Sequence, residues 1–343
     1  MTPLTSGPRQ ILTALRERPG TPLSGEILSE RLGVSRAQIW KHVGILRKHG
    51  YSIEGEPGGG YRLLGTPDRL YPCEIEAGLG TRWLARRIEH LEETPSTNQV
   101  AFDLGREGAQ AGTVVIAESQ TAGRGRLGRS FFSPPHQNLY SSIVLRPEGT
   151  IADTPTLILG AAVAVAETVA EFLDDDSAVE IKWPNDVLIR RRKTSGILME
   201  SSAEGTRLAF AVLGIGVNLN VDREIFPDEF RRHATSLSSE LGRPVDRVAF
   251  TRRLFENLET QLDRHSAGGF EVLRPRFESF FRMRGEDVGI DEIGGSSLSG
   301  IARGIAPDGA LEIEVREGPR SGEVVRVMAG DVTLAKPRAA SSS

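Results

Sequence analysis

Cys73 is the only cysteine in 343 residues, which excludes intrachain disulfides and cysteine-cluster metal sites. The N-terminus has no apolar h-region, so no secretory signal is expected. Long apolar runs are missing too. The most apolar stretch, LILGAAVAVA (Leu157–Ala166), stops at Glu167 and is too short to span a bilayer; it reads as a buried core helix. These absences predict a cytoplasmic protein. There is also no basic excess, and a net charge of −4 excludes a globally polybasic nucleic-acid binder. The mean hides an uneven distribution, however. Through Gly65 nine Lys/Arg face five Asp/Glu, a local +4, so the remainder carries −8. A small basic head precedes an acidic body, in a chain long enough for two or three domains.

The head, residues 9–64, reads as three helices and a hairpin. Ile11, Leu12 and Leu15 give the first helix an apolar face. Ser24 can cap a second helix carrying Ile27, Leu28 and Leu32, and Gly33 makes the turn out of it. Ser35 and Gln38 form an S-x-x-Q capping box. The helix they open buries Ile39, Val43 and Leu46 and shows Arg36, Lys41, Arg47 and Lys48 outside. YSIEGEPGGGYRLL then supplies two short strands around Pro57-Gly58-Gly59-Gly60. This is the winged helix-turn-helix plan, in which the helix after Ser35 enters the major groove. Ser35, Arg36, Gln38, Lys41, Arg47 and Lys48 are the DNA-contact candidates, with Arg36 and Gln38 nearest the bases.

The body contains AESQTAGRGRLGRSFFSP (residues 117–134), with three arginines and three glycines between Gly123 and Arg129. Gly123, Gly125 and Gly128 spell G-x-G-x-x-G, but a dinucleotide fingerprint requires a helix to open at the third glycine. Ser130-Phe131-Phe132-Ser133-Pro134-Pro135 cannot be that helix, and no G-K-[ST] of a Walker loop is present. What remains is flexible backbone offering N–H groups beside Arg124, Arg126 and Arg129, whose forked guanidiniums suit phosphate and carboxylate oxygens. TVVIAES (Thr113–Ser119) runs into this loop as a buried strand, and NLYSSIVLRP follows as another. VEIKWPNDVLIRRRKTSGILME reads as strand Val179–Lys182, a break at Trp183–Asp186, strand Val187–Ile189, a turn over Arg190–Lys193, and a further strand. LAFAVLGIGVNLN is a third strand, ending at Gly214, Gly216, Asn218 and Asn220.

In their order along the chain, STN (Ser96–Asn98), GRGRLGR (Gly123–Arg129), KWPND (Lys182–Asp186), KTSGILME (Lys193–Glu200) and GIGVNLN (Gly214–Asn220) resemble the biotin protein ligases. With the winged head, the chain resembles the bifunctional type that also represses the biotin operon. The resemblance implies a fold of class α+β: an N-terminal winged helix-turn-helix (1–65), a central α/β ligase domain with a mixed sheet similar to class II aminoacyl-tRNA synthetases (66–285), an SH3-like C-terminal β-barrel (286–338) and a tail (339–343). It implies a reaction of biotin with ATP giving biotinyl-5′-AMP, followed by transfer to a lysine of a biotin carboxyl carrier protein. Mg²⁺ is implied for the ATP phosphates, with no ligands assignable. Operator DNA, biotinyl-5′-AMP as corepressor and a ligand-promoted homodimer complete the implied partners.

By the same resemblance Ser96, Thr97, Asn98, Gln120, Gly123, Arg124, Gly125, Arg126, Lys193 and Gly196 would bind biotin. Arg126, Arg129, Phe131, Asn185, Lys193 and Asn218 would face ATP. Lys193, Arg126 and Asp186 would be catalytic. Two anions must meet in the first step, so cations have to neutralise and align them. Lys193 would bridge the biotin carboxylate and the α-phosphate. Asp186 would receive the acceptor lysine's proton, since an amine attacks only when neutral; a structural role at the Trp183-Pro184 turn is the other reading of Asp186. Phe131 stands where the family pattern has tryptophan, and Ala335 where an arginine is expected. After Gly285, alternating apolar residues and a P-D-G turn read as a small antiparallel barrel. A lipoate ligase or octanoyl transferase of the same superfamily, and a biotin-sensing repressor that does not ligate, are the alternatives. Pyrophosphate release and biotin-versus-lipoate incorporation separate them.

Overall fold

Capping and apolar spacing build the head. The structure is a computed structural model that describes residues 4–56, 59–292 and 297–334; Pro57, Gly58, Ala335 and the tail lie outside the described residues. The chain divides into two compact units, Met1–Glu74 and Ile75–Ser343. In the first, α1 (Ser6–Arg16) turns Ile11, Leu12 and Leu15 inward. α2 (Gly25–Leu32) starts where the Ser24 hydroxyl accepts the Ile27 N–H at 3.1 Å and ends at Gly33 in the left-handed region. α3 (Arg36–Lys48) opens with the full Ser35/Gln38 capping box. β1 (Ser52–Glu56) and β2 (Gly60–Gly65) pair antiparallel as the hairpin. Leu28, Ile39, Val43, Leu46 and Tyr51 join the α1 residues in one core. The second helix departs from expectation: it buries only Leu28, and Ile27 is exposed. Two turns of helix present one narrow face, which Leu28 and, one turn on, the half-buried Leu32 fill.

A short helix, α4 (Pro72–Glu76), follows. The second unit is built on β3 (Arg87–Leu91), α5 (Thr97–Arg106), β4 (Thr113–Ala117), β5 (Leu139–Leu145), α6 (Thr154–Leu173), β6 (Val179–Lys182), β7 (Asp186–Ile189), β8 (Arg192–Glu204) and β9 (Arg207–Val217). The strands form one seven-stranded sheet in the order β3-β4-β5-β9-β8-β7-β6. It is mixed, because β3 and β4 run parallel and every other pair is antiparallel. α5 packs on β4, β5 and β9, and its Ala101 meets Val115, Val144, Phe210 and Val212. The alanine-rich α6 packs on β6, β7 and β8 and against α9 (Arg247–Gly268). Leu157–Ala166 lies inside α6 with Ala161 to Ala166 wholly enclosed, the core helix its composition predicts. Between β9 and α9 lie the short α7 (Asp228–Arg231) and α8 (Leu237–Leu241), and α10 (Arg274–Phe280) comes after.

Two strand boundaries differ from the sequence reading. The turn after β7 is only Arg190-Arg191, at φ 47° and 64°, so Lys193 lies within β8 and not in the turn. A two-residue hairpin loop with both central residues left-handed is the tightest connection available, and the strand resumes at once. Gly214 and Gly216 sit inside β9 and not at its end, because β5 and β8 continue the ladder on both sides. The chain then forms a five-stranded antiparallel sheet from β10 (Asp287–Glu292), β11 (Ser297–Ile305), β12 (Leu311–Val315), β13 (Val324–Val327) and β14 (Gly330–Leu334), in the order β13-β12-β11-β10-β14. The P-D-G turn joins β11 to β12 as expected.

Candidate functional site

Strand register assembles the floor of the site. Lys182 pairs with Asp186, Asp186 with Gly196, Gly196 with Gly216, and Gly216 with Tyr140. Cross-strand partners share a face, so these five residues form a row across five strands. The adjacent row on the same face is Ser142, Gly214 and Leu198. Over both rows lies a cavity of about 860 Å³, a volume that suits a small-molecule ligand. Strict alternation would send Lys193 to the other face. The β7–β8 register shifts between Val187 and Leu188, so that Leu188 pairs with Lys193. This bulge re-aims Lys193 into the cavity and leaves Thr194 buried. There the Lys193 ammonium meets Asp186 Oδ1 at 2.6 Å.

One end of the cavity is a hydrogen-bonded cluster at the start of α5. Gln120 Oε1 accepts the Thr97 N–H at 2.9 Å and its hydroxyl at 3.1 Å, while Gln120 Nε2 donates to Ser133 Oγ at 3.1 Å. Asn98 Nδ2 donates to Glu200 at 2.8 Å, and Asn98 Oδ1 accepts the Ser142 hydroxyl at 2.6 Å. Each side-chain amide is therefore fixed in orientation with one N–H still to offer. The bare backbone of β9 makes this possible: a Cβ at Gly214 would stand 2.1 Å from Asn98 Oδ1, and one at Gly216 2.7 Å from the Phe131 ring. Tyr140 meets Phe131 edge-on, at 6.3 Å between centroids, and gives its phenol proton to the Pro134 carbonyl. Burial raises the Tyr140 pKa, so the phenol stays neutral.

Above the floor, residues 123–131 form a flap. Phe131 donates its N–H to the Gly123 carbonyl at 2.9 Å, and Gly125 donates to the Arg129 carbonyl at 2.7 Å. Leu127 at the tip is left-handed (φ 55°) and half exposed. Arg126 donates to Asn185 Oδ1 at 3.3 Å across the mouth, and Asn185 Nδ2 is held by the Ile197 carbonyl at 2.8 Å. A far wall comes from segment 233–235, whose His233 carbonyl accepts the Lys193 N–H at 2.7 Å.

Of the residues singled out in the body, Ser96, Thr97, Asn98, Gln120, Arg124, Gly125, Arg126, Arg129, Phe131, Asn185, Asp186, Lys193, Gly196 and Asn218 all line this cavity. Gly123 does not; it is the flap's base, where a Cβ would stand 2.7 Å from the Phe131 carbonyl oxygen and from Ser133 Oγ. Asn218 is buried and its amide is engaged, accepting from Asn138 at 3.4 Å and donating to the Thr235 carbonyl at 3.1 Å. It shapes the wall through those bonds. Sequence reasoning missed Tyr140 and Phe230, which line the cavity, and Ser142 and Ser133, which hold Asn98 and Gln120 from behind. Ser142 and Tyr140 sit in an ordinary apolar strand, where only register reveals them.

In the head, α3 exposes Arg36, Lys41, Arg47 and Lys48 as expected. Arg47 is engaged, however: its guanidinium donates to the Ile53 carbonyl at 2.8 and 3.0 Å and ties α3 to β1. Arg36 pairs with Glu26 at 3.1 Å, and Gln38 Oε1 returns to the Ser35 N–H.

Comparison with known proteins agrees with both units. Residues 91–218 match the Biotin/lipoate A/B protein ligase family, and residues 9–62 match an HTH domain. The bifunctional ligase/repressor BirA of Bacillus subtilis is 36% identical over 91% of this chain and 94% of its own length. That of Escherichia coli is 33% identical, covering 91% and 92%. The biotin protein ligase of Aquifex aeolicus, solved with biotin and ATP, superimposes with a TM-score of 0.62 at 27% identity, over 73% of this chain and 99% of that one. A mixed sheet carrying a polar cavity, preceded in the sequence by a helix-turn-helix unit, thus comes with relatives of the same organisation: the chain belongs to the biotin/lipoate protein ligase family and is a biotin protein ligase of the bifunctional ligase/repressor kind.

Proposed function

We propose that the cavity joins biotin to ATP and passes the product to a lysine of a biotin carboxyl carrier protein. The observation that carries this is the bulge-directed Lys193 beside Asp186, between an amide cluster and an arginine flap. Biotin's ureido ring would take its hydrogen bonds from Ser96, Thr97, Asn98 and Gln120, with its carboxylate toward Arg124, Arg126 and Lys193. ATP would lie toward Arg129, Phe131, Asn185 and Asn218. A biotin carboxylate oxygen attacks the α-phosphorus, pyrophosphate leaves, and Lys193 and Arg126 stabilise the charge that accumulates between the two anions. To do so Lys193 has to leave Asp186. The first step therefore frees the carboxylate that the second step uses. The acceptor amine, deprotonated by Asp186, then attacks the biotinyl carbonyl and AMP departs. Among the described residues no three His, Cys, Asp or Glu side chains cluster as a metal cage; Mg²⁺ would arrive on the triphosphate. Incubation with ATP, Mg²⁺ and biotin should yield biotinyl-AMP and label a carrier domain; lipoate labelling without biotin labelling would reverse the substrate assignment.

The flap would hold the adenylate. Arg126→Gly should slow the chemistry less than it speeds escape of biotinyl-AMP, and unrelated lysines should become labelled. An unchanged dissociation rate of the adenylate removes Arg126 from the clamp.

The domain reading is 1–65 winged helix-turn-helix, 66–285 catalytic and 286–338 C-terminal, with 339–343 a tail. The catalytic sheet would be of the class II aminoacyl-tRNA synthetase type and the five-stranded sheet an SH3-like barrel. One head offers one recognition helix, so two heads on a symmetric operator would gain ~100-fold or more from linkage. Biotinyl-AMP would order the flap and neighbouring loops and so promote the homodimer, and the acceptor protein would relieve repression by consuming it. A ligand promotes a dimer only through tighter binding to it. Sedimentation should therefore show dimerisation strengthened by biotinyl-AMP, and identical equilibria with and without it defeat the switch. Removal of residues 1–65 should abolish operator binding.

A further inference from the structure

The base-contact candidates at the start of α3 are largely occupied, with Gln38 in the cap and Arg36 on Glu26. What α3 shows to solvent is a stripe at helical spacing, Ala37, Trp40, Lys41 and Lys48, with the half-buried Gly44 inside it, on the side away from Ile39, Val43 and Leu46. Trp40 is 65% exposed, the highest value among the large apolar side chains that are exposed in the described residues. A tryptophan left in water on a small helical unit gains nothing for folding. Gly44 is equally without internal reason. It lies mid-helix, where glycine costs about 1 kcal/mol against alanine, yet a Cβ there would meet nothing within 4 Å. A helix that exposes an indole and gives up a Cβ one turn later is shaped for a close partner outside the unit. α3 contains no acidic residue and carries Lys41 and Lys48 within the stripe, so that partner is polyanionic.

We propose that Trp40 is a base-reading residue of the head, its indole packing on a thymine 5-methyl group in the major groove, with Gly44 letting the helix backbone sit close to the groove floor. Methyl contact is the apolar part of major-groove readout, and it separates thymine from cytosine and from uracil. The inference rests on the repressor reading above and deepens it.

The experiment uses the full chain with biotin and ATP. The protein selects a site from a randomised duplex pool, and the site is remade with deoxyuridine for thymine, one position at a time. Loss of one methyl in a half-site should weaken parent binding about fivefold or more, the low end of one recognised base pair. Trp40→Ala should bind the unmodified duplex about as weakly and lose nothing further on the uracil duplex. Gly44→Ala should raise the unfolding midpoint and yet weaken binding, opposite signs that a packing role cannot produce. If Trp40→Ala leaves affinity unchanged, or loses equally on both duplexes, the inference fails and the repressor reading stands. Selection of no sequence at all removes both. A Trp40→Ala effect on self-association alone makes the stripe a contact between copies and overturns the DNA assignment.

Discussion

Lys193→Met should fold like the parent and lose at least ~100-fold in biotinyl-AMP formation, the scale of one electrostatic transition-state contact. The fold is spared for two reasons. The Lys193 side chain is 37% exposed, and its ion pair among the described residues is with Asp186, whose carboxylate borders the cavity, so that water can take the place of the ammonium. The backbone bonds that anchor the strand, from Lys193 N–H to the His233 carbonyl and from Thr235 N–H to the Lys193 carbonyl, do not involve the side chain. Methionine keeps the stem and removes the charge, so the loss isolates the ammonium. It should fall on the turnover of the adenylation step more than on the KM for biotin, whose ring, in the proposed binding mode, would be held at the opposite end by Thr97, Asn98 and Gln120. Adenylation within a few-fold of the parent takes Lys193 out of the mechanism.

How much of this site could be read from the sequence depends on the range of the interaction. The Ser24 cap and the Ser35/Gln38 box involve residues three apart, and both form as read. The arginine flap is contiguous, so its composition and the aromatic residues behind it already exclude a nucleotide-binding helix. The sequence puts Lys193 in a turn because nothing local shows that Arg190-Arg191 alone close the hairpin, and the one-residue bulge that aims its side chain is a mismatch between β7 and β8, visible only when the strands are paired. Ser142 illustrates the same limit. Nothing in NLYSSIVLRP marks it, and its value comes from standing opposite Gly214 and beneath Asn98. In the head, helical periodicity identifies the buried face but counts every exposed arginine as available. Arg47 is spent on the Ile53 carbonyl because the hairpin folds back onto α3, a contact that periodicity does not contain.

Arg247 shows the far end of that range, and it carries the largest stability effect expected in the chain. It opens α9, 129 residues from Glu118, and the two meet at 3.0 Å with neither side chain exposed at all. His90 and His136 approach the same carboxylate, each at 3.3 Å. Arg247→Met should destabilise the second unit by about 3–5 kcal/mol, since it leaves a buried carboxylate without its cation. For a unit of this size that lowers the melting midpoint by about 5–15 °C. The pair itself need not be a net stabiliser, because both ions gave up hydration to reach the interior. Glu118→Gln combined with Arg247→Met should therefore recover much of the loss. Function should recover less. Arg247 Nη1 also donates to the Asn138 carbonyl at 3.1 Å, and Asn138 holds both the Leu219 N–H and the Asn218 amide in the cavity wall. With stability restored in the double variant, the KM for ATP should stay raised while that for biotin stays near the parent value, because the Thr97–Gln120 cluster is untouched. A single variant within about 1 kcal/mol of the parent would mean that the carboxylate finds another cation or a proton at little cost, and an unchanged KM for ATP would uncouple the pair from the wall.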